Sequence, residues 1–217
     1  MSTRALQLGI GAVAIGVSVL LAAANLYFGD LNQDEGWYLY AAGLVAHGEF
    51  PYTDFAFTQG PVMPLVYALI HPLVTLGGLA GGRLFTALLG LSAAMLTACL
   101  AARLSGKTHA WAAALLTFLL VGVNVYQSYF CTVVKTYALA AFFLGAGFLL
   151  LTVVQGKRGY WAAAAAAAAL VLAAGTRVSA AMVLPVVLAW LWWQRHTRPG
   201  HWLWFGIAAA IVAAALF

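Results

Sequence analysis

The sequence predicts an all-α polytopic transmembrane helix bundle of about seven spans, with juxtamembrane helices in the first extracytoplasmic loop. Three observations carry this. The 217 residues are 65% hydrophobic and 7% charged, with a mean hydropathy of +0.97. Soluble domains carry about a quarter charged residues, so no soluble core of this size hides so much apolar surface, and lipid is the expected solvent. Apolar runs at 5–28, 62–80, 84–102, 110–126, 137–155, 160–175, 179–193 and 202–217 approach the ~20 residues a bilayer span needs. Finally, all five acids, Asp30, Asp34, Glu35, Glu49 and Asp54, share one short window, while the ten basic residues lie outside it, between apolar runs. A nucleic-acid binder would gather its bases on one solvated face. Bases parcelled out between spans are a topology signal.

In chain order, Arg4 precedes about 20 apolar residues, longer than the ~7–15-residue core of a cleaved secretory signal. Ala22-Ala23-Ala24 mimics a cleavage site, but an uncleaved first span is the better reading. The run at 62–80 contains Pro64, His71 and Pro72 and either spans or lies along the surface. Counting Lys and Arg discriminates. If it does not span and the N-terminus is inside, Arg4, Arg103, Lys107, Lys157, Arg158, Arg195 and Arg198 are inside, against Arg83, Lys135 and Arg177 outside. If it spans, the bias inverts, unless the whole chain is flipped. The non-spanning arrangement has the strongest positive-inside bias. It makes residues 29–83 a long outer loop with two amphipathic pieces, Asp34–Gly48 and 62–79. In the first, Trp37, Leu39, Tyr40, Leu44 and Val45 recur at helical spacing, and Gly48 is a stop signal. The aromatic residues Trp37, Tyr38, Tyr40, Phe50, Tyr52, Phe55 and Phe57 suit a membrane interface. The alanine run at 162–169 reads as a closely packed membrane helix, since small residues let helices approach in lipid.

Chemistry concentrates in a few residues. Asp34-Glu35 opens an amphipathic helix beside a span. Acids in a first turn cap the helix and compensate its dipole; the functional reading is an acid/base or acceptor-binding carboxylate at a low-dielectric face. Arg83, Lys135 and Arg177 are lone cations on the outer side. Each can snorkel to the interface. Taken together, beside an acidic cluster, they suggest an anionic ligand, phosphate above all. The segment Pro51–Pro61 is a turn-rich loop whose Tyr52, Asp54 and Gln59 either bind a sugar or acceptor or simply connect elements. Cys99 and Cys131 read as inert core thiols. His47, His71, His109, His196 and His201 lack ligand spacing, and no Walker loop, GxGxxG, HExxH or CxxC motif occurs. No cofactor is implied, and a divalent metal finds no support.

The stretch Leu31-Asn32-Gln33-Asp34-Glu35-Gly36-Trp37-Tyr38-Leu39-Tyr40-Ala41-Ala42, followed by His47-Gly48-Glu49-Phe50-Pro51-Tyr52-Thr53-Asp54-Phe55, resembles membrane glycosyltransferases of the GT-C fold. The similarity is to the protein O-mannosyltransferase and aminoarabinose-transferase group, including rhizobial-type lipopolysaccharide glycosyltransferases. There an acidic pair follows the first span, and the first outer loop carries juxtamembrane helices. The resemblance implies a multi-pass inner-membrane enzyme that moves a sugar from a polyprenyl-phosphate donor to a lipid, glycan or protein acceptor, with inversion, at the extracytoplasmic face. It implies Asp34 as general base and Glu35 as acceptor holder. Lys135-Thr136-Tyr137 and Gly175-Thr176-Arg177 match recurring family segments, which implies Lys135 and Arg177 at the donor phosphate, with Arg83 a third candidate. Tyr38, Tyr52, Asp54 and Gln59 are the candidate sugar and acceptor contacts. Two departures stand out. Several relatives carry a further acid in the second outer loop, where residues 127–136 hold only Lys135 as a charge. The family also runs to several hundred residues, so 1–217 corresponds to its N-terminal module, a truncated one. The competing classes are a non-catalytic membrane subunit or inactive fragment, in which Asp34, Lys135 and Arg177 are replaceable, and a transporter, which calls for mid-membrane polar groups, broken helices and internal repeats.

Overall fold

A computed structural model describes residues 3–154, 159–196 and 200–217, apart from the side chains of Thr3 and Arg4. Of the cations counted for topology, Lys157, Arg158, Arg198 and the side chain of Arg4 therefore lie outside what is described. Among the described residues the chain is helical with no β-strand, and an isolated bridge joins Pro51 to Phe55. The elements are α1 (Thr3–Phe28), α2 (Gln33–Ala46), α3 (Val62–Ala68), α4 (His71–Leu104), α5 (Gly106–Gly122), α6 (Val125–Phe130), α7 (Thr136–Leu151), α8 (Gly159–Thr176), a 3-10 turn (Val178–Met182) that leads into α9 (Val183–Trp193), and α10 (His201–Leu216).

Three helical segments, Ala5–Phe28, His71–Leu104 and Gly159–Thr176, are long and apolar enough to cross a membrane, and Thr136–Leu151, Val178–Trp193 and His201–Leu216 are shorter apolar helices. Their outward faces are apolar too: Leu8, Leu20, Leu76, Trp161 and Trp193 are all exposed. A water-soluble monomer rarely presents so much contiguous apolar surface.

The apolar run at 62–80 divides in two. α3 is about 10 Å long, too short to cross a ~30 Å hydrocarbon core, and a turn at Leu69–Ile70 hands the chain to α4. Pro72 fits the first turn of α4 because the first helical N–H groups have no partner within the helix. α4 bends at Gly78, whose φ of 57° and ψ of −141° interrupt the helix; a residue with a Cβ is strained there. The expected helix at Asp34–Gly48 is α2, with His47 capping its end and Gly48 at φ 94° leading the chain away.

Small residues set the packing. α8 lies between α7 and α10, and α4 between α5 and α7. Ala163, Ala166, Ala167, Leu170 and Ala173 of α8 are buried. A Cβ on Gly147 would stand 2.7 Å from Leu170 Cδ2, so α7 and α8 approach at glycine distance. Side-chain contacts mark two ends of the bundle, near Arg83 and near Arg103 of α4. One end gathers the end of α1, α2, α3 and the residues just before α7. At the other, Arg103 of α4 donates to Thr152 after α7 at 3.1 Å, and His201 of α10 packs on Gly159 of α8. About 30 Å of helix separates Arg83 from Arg103.

Candidate functional site

The site is built on a buried ion pair. Glu35 is 1% exposed and Arg83 3%. Asn32 caps α2: its side-chain oxygen accepts from the Asp34 N–H at 3.1 Å, and its own N–H donates to Glu35 Oε2 at 3.0 Å, a reciprocal capping box. That aims the Glu35 carboxylate inward. There it accepts from Arg83 Nε at 2.8 Å and Nη2 at 2.7 Å, and from the Val134 N–H at 2.9 Å. A carboxylate offers about four lone-pair sites, and all are taken. Arg83 uses its other donors on the carbonyls of Asn25 (3.3 Å), Gly29 (3.0 Å) and Asp30 (2.8 Å). Its five N–H groups are thereby all engaged. Burial pushes the Glu35 pKa up, but the bonds from Arg83, Val134 and Asn32 outweigh it and hold the carboxyl below the usual carboxylate value.

This geometry bears on two of the expected site residues. Arg83 has no donor left for a phosphate, and Glu35 has no lone pair left for an acceptor. Together they clip the end of α1, the start of α2, α4 and the turn before α7. A lone arginine in an apolar helix needs such a partner, because an unpaired buried charge is costly.

Asp34 points the other way. It is 44% exposed, and Lys135 Nζ lies 2.9 Å from its Oδ2. The bond to Asp34 raises the Lys135 pKa against the effect of partial burial, so the lysine is a fixed cation. Tyr38 lies one turn beyond Asp34, on the same face of α2. Burial and the Asp34 charge raise its pKa, against the opposing fields of Lys135 and Arg177; its phenol stays a donor. Arg177 lies 4.5 Å above the centre of the Tyr137 ring, a cation–π contact, and its Nη1 donates to Thr136 Oγ1 at 3.3 Å. Among the described residues it has no carboxylate partner. Asp34, Tyr38, Lys135, Tyr137 and Arg177 thus form one cluster assembled from α2, the start of α7 and the end of α8. A groove of about 370 Å³ leads away from it between α7 and α9, lined by Tyr137, Ala141, Leu144, Arg177, Ala180 and Val183.

The loop residues are placed differently. Tyr52, at φ 72°, donates from its hydroxyl to the Gln59 carbonyl, and its N–H bonds Phe55 O at 2.9 Å. Asp54 accepts from the Phe50 N–H at 2.7 Å. Both close the loop on itself, and among the described residues no hydrogen bond or ion pair joins Tyr52, Asp54 or Gln59 to Asp34, Lys135 or Arg177. The loop nevertheless borders the cluster. Phe57 stacks on Trp37 with ring centres 4.7 Å apart, and Gly60 packs so closely on Gly175 that a Cβ there would collide with the Gly175 carbonyl.

Sequence reasoning missed the role of Tyr137 under Arg177, the Val134 amide and the Asn25 carbonyl. Tyr137 stood inside a segment already singled out; the two backbone groups carry no side-chain signal. Among the described residues no group of three or more His, Cys, Asp or Glu is placed to hold a metal ion. No family model, curated protein or solved structure matches this chain, so its functional reading rests on these residues and their arrangement.

Proposed function

We propose that this chain is the membrane module of a glycosyltransferase that moves a sugar from a polyprenyl-phosphate donor to an acceptor hydroxyl, with inversion, at the extracytoplasmic face of an inner membrane. One observation supports it above the rest: an accessible carboxylate, Asp34, pairs with Lys135 in a cluster whose second cation, Arg177, lines an apolar groove. A lipid-linked donor needs that combination of a cationic seat for the phosphate, an apolar path for the tail and a base for the acceptor.

In this reading α1, α4, α5, α7, α8, α9 with its leading turn, and α10 are seven spans, while α2, α3 and α6 lie at the outer interface. The donor phosphate sits against Lys135 and Arg177, drawing Lys135 off Asp34. The acceptor oxygen attacks the anomeric carbon as the carbon–oxygen bond to the phosphate breaks. The electron pair of that bond leaves with polyprenyl phosphate, where the two cations stabilise the developing charge. The acceptor proton passes to Asp34. Tyr38 offers its hydroxyl to the sugar or acceptor. Glu35 and Arg83 position this machinery without touching substrate.

The test has two arms. Native mass spectrometry of the purified chain with polyprenyl phosphate should show a bound species that Lys135→Ala/Arg177→Ala lowers about tenfold, as loss of charge-assisted bonds implies. With a polyprenyl-phosphate sugar and membrane acceptors, Asp34→Asn should abolish transfer while keeping donor binding. Full turnover in Asp34→Asn sinks the base assignment. Unchanged donor binding in the double variant sinks the phosphate site and favours a non-catalytic membrane subunit.

A further inference from the structure

A second site lies at the end of the bundle opposite Asp34. There α4, α7 and α9 diverge around a cavity of about 760 Å³, lined by apolar side chains including Leu100, Phe148, Leu151, Val187 and Trp190, with Arg103 at its edge. Its volume is within the roughly 300–1,000 Å³ of small-molecule sites. Arg103 occupies the last turn of α4 and Thr152 caps the end of α7. The Thr152 hydroxyl donates to the Leu149 carbonyl at 2.6 Å, leaving its oxygen to accept from Arg103 Nη1 at 3.1 Å. That bond steadies the guanidinium beside the cavity. Among the described residues it is the one hydrogen bond of a side chain with five donors.

Among the described residues no carboxylate pairs with Arg103. All five side-chain carboxylates lie between Asp30 and Asp54, and Glu35 is held by Arg83, about 30 Å of helix from Arg103. Arg103 is exposed at the cavity edge, so an anion from outside the chain can reach it. At a helix end that meets the membrane interface, beside an apolar cavity, the anion with matching chemistry is a lipid phosphate, whose acyl chain can follow the apolar wall. A guanidinium suits phosphate because its planar donors engage two oxygens at once.

We propose that this cavity binds an anionic phospholipid, with the phosphate on Arg103 and an acyl chain between α4, α7 and α9. The site rests on the membrane reading of the helices and is independent of the transferase chemistry at Asp34.

The test is native mass spectrometry of the whole chain in mild detergent, with phosphatidylglycerol and phosphatidylcholine offered at equal concentration. Phosphatidylglycerol should be retained in preference. Arg103→Gln should lower that bound fraction about tenfold; Arg103→Lys, which keeps the charge but not the fork, should restore part of it and report that the fold is intact. Lys135→Ala/Arg177→Ala should leave it unchanged. Equal retention of the two lipids, unchanged binding in Arg103→Gln, or loss in the Lys135→Ala/Arg177→Ala variant would each overturn the proposal. So would displacement of phosphatidylglycerol by equimolar polyprenyl phosphate in an Arg103-dependent manner, which would make the occupant a carrier lipid.

Discussion

Asp34 and Glu35 are adjacent in sequence and opposite in fate. Successive helical residues point about 100° apart, so once Asn32 caps α2, one carboxylate enters the bundle and the other faces Lys135. Glu35 is 1% exposed and saturated; Asp34 is 44% exposed and open beside Lys135. Removing one partner of a buried ion pair leaves the other uncompensated, at a cost of about 3–5 kcal/mol. Glu35→Ala should therefore lower the thermal midpoint in detergent sharply, and Arg83→Met in the same background should recover much of the loss. A midpoint near wild type in Glu35→Ala would show that the clip contributes nothing. The pH dependence follows from the direction of the Glu35 shift. Its pKa is lowered in the fold, so its contribution is complete above the ordinary carboxylate value and disappears as pH falls through the lowered one. Acid unfolding should be shallower in Glu35→Gln than in wild type below the ordinary carboxylate pKa; identical acid limbs would contradict this.

At the scale of elements, the site depends on how three helix ends are aimed. Asn32 fixes the start of α2, and Asn32→Ala should cost about 1 kcal/mol, the usual loss of an N-cap, measurable by thermal unfolding. The bend at Gly78 lets α4 run along α2 before turning into the bundle. Gly78→Ala forces a Cβ into that backbone conformation and should cost about 1–3 kcal/mol; a stability unchanged from wild type would mean α4 runs straight. The Gly60–Gly175 contact docks the loop beside Arg177. These features differ in legibility. Acids in the first turn, a helical apolar period and Gly48 are enough to locate α2, because they are local. The division of the 62–80 run into α3 and the leading part of α4 was visible only as an ambiguity: its prolines signal interruption but not where the chain turns. The 3-10 turn before α9 left no sequence mark beyond the polar Gly175-Thr176-Arg177.

For the whole molecule, the test is which way the two ends face. With the proposed orientation, a cysteine at Thr53 should react with a membrane-impermeant maleimide in intact cells, while one at Lys107 should react only after permeabilisation. The background should be Cys99→Ser, because Cys99 is exposed and Cys131 buried. Labelling of both from one side would overturn the seven-span arrangement. The Arg103 cavity and the Asp34 cluster belong to opposite ends, so a lipid bound at one should be insensitive to substitutions at the other.

The amino-acid sequence by itself determined the helical class, the apolar character of the helices and the residues from which a site could be made. Each follows from composition and short-range periodicity, which are local properties of the chain. It also singled out the Asp34-Glu35 pair, as adjacent acids opening a helix, and Arg83, Lys135 and Arg177, as lone cations between apolar runs. Only the tertiary structure decided how those charges divide. Glu35 meets Arg83 across 48 residues and Val134 across 99, and whether an acid is saturated in the core or open at the surface depends on what packs against it. No spacing rule encodes that, since the partners are set by helix crossings. The same long-range packing sets Arg177 on Tyr137 and leaves Arg103 beside an apolar cavity with no carboxylate in reach among the described residues.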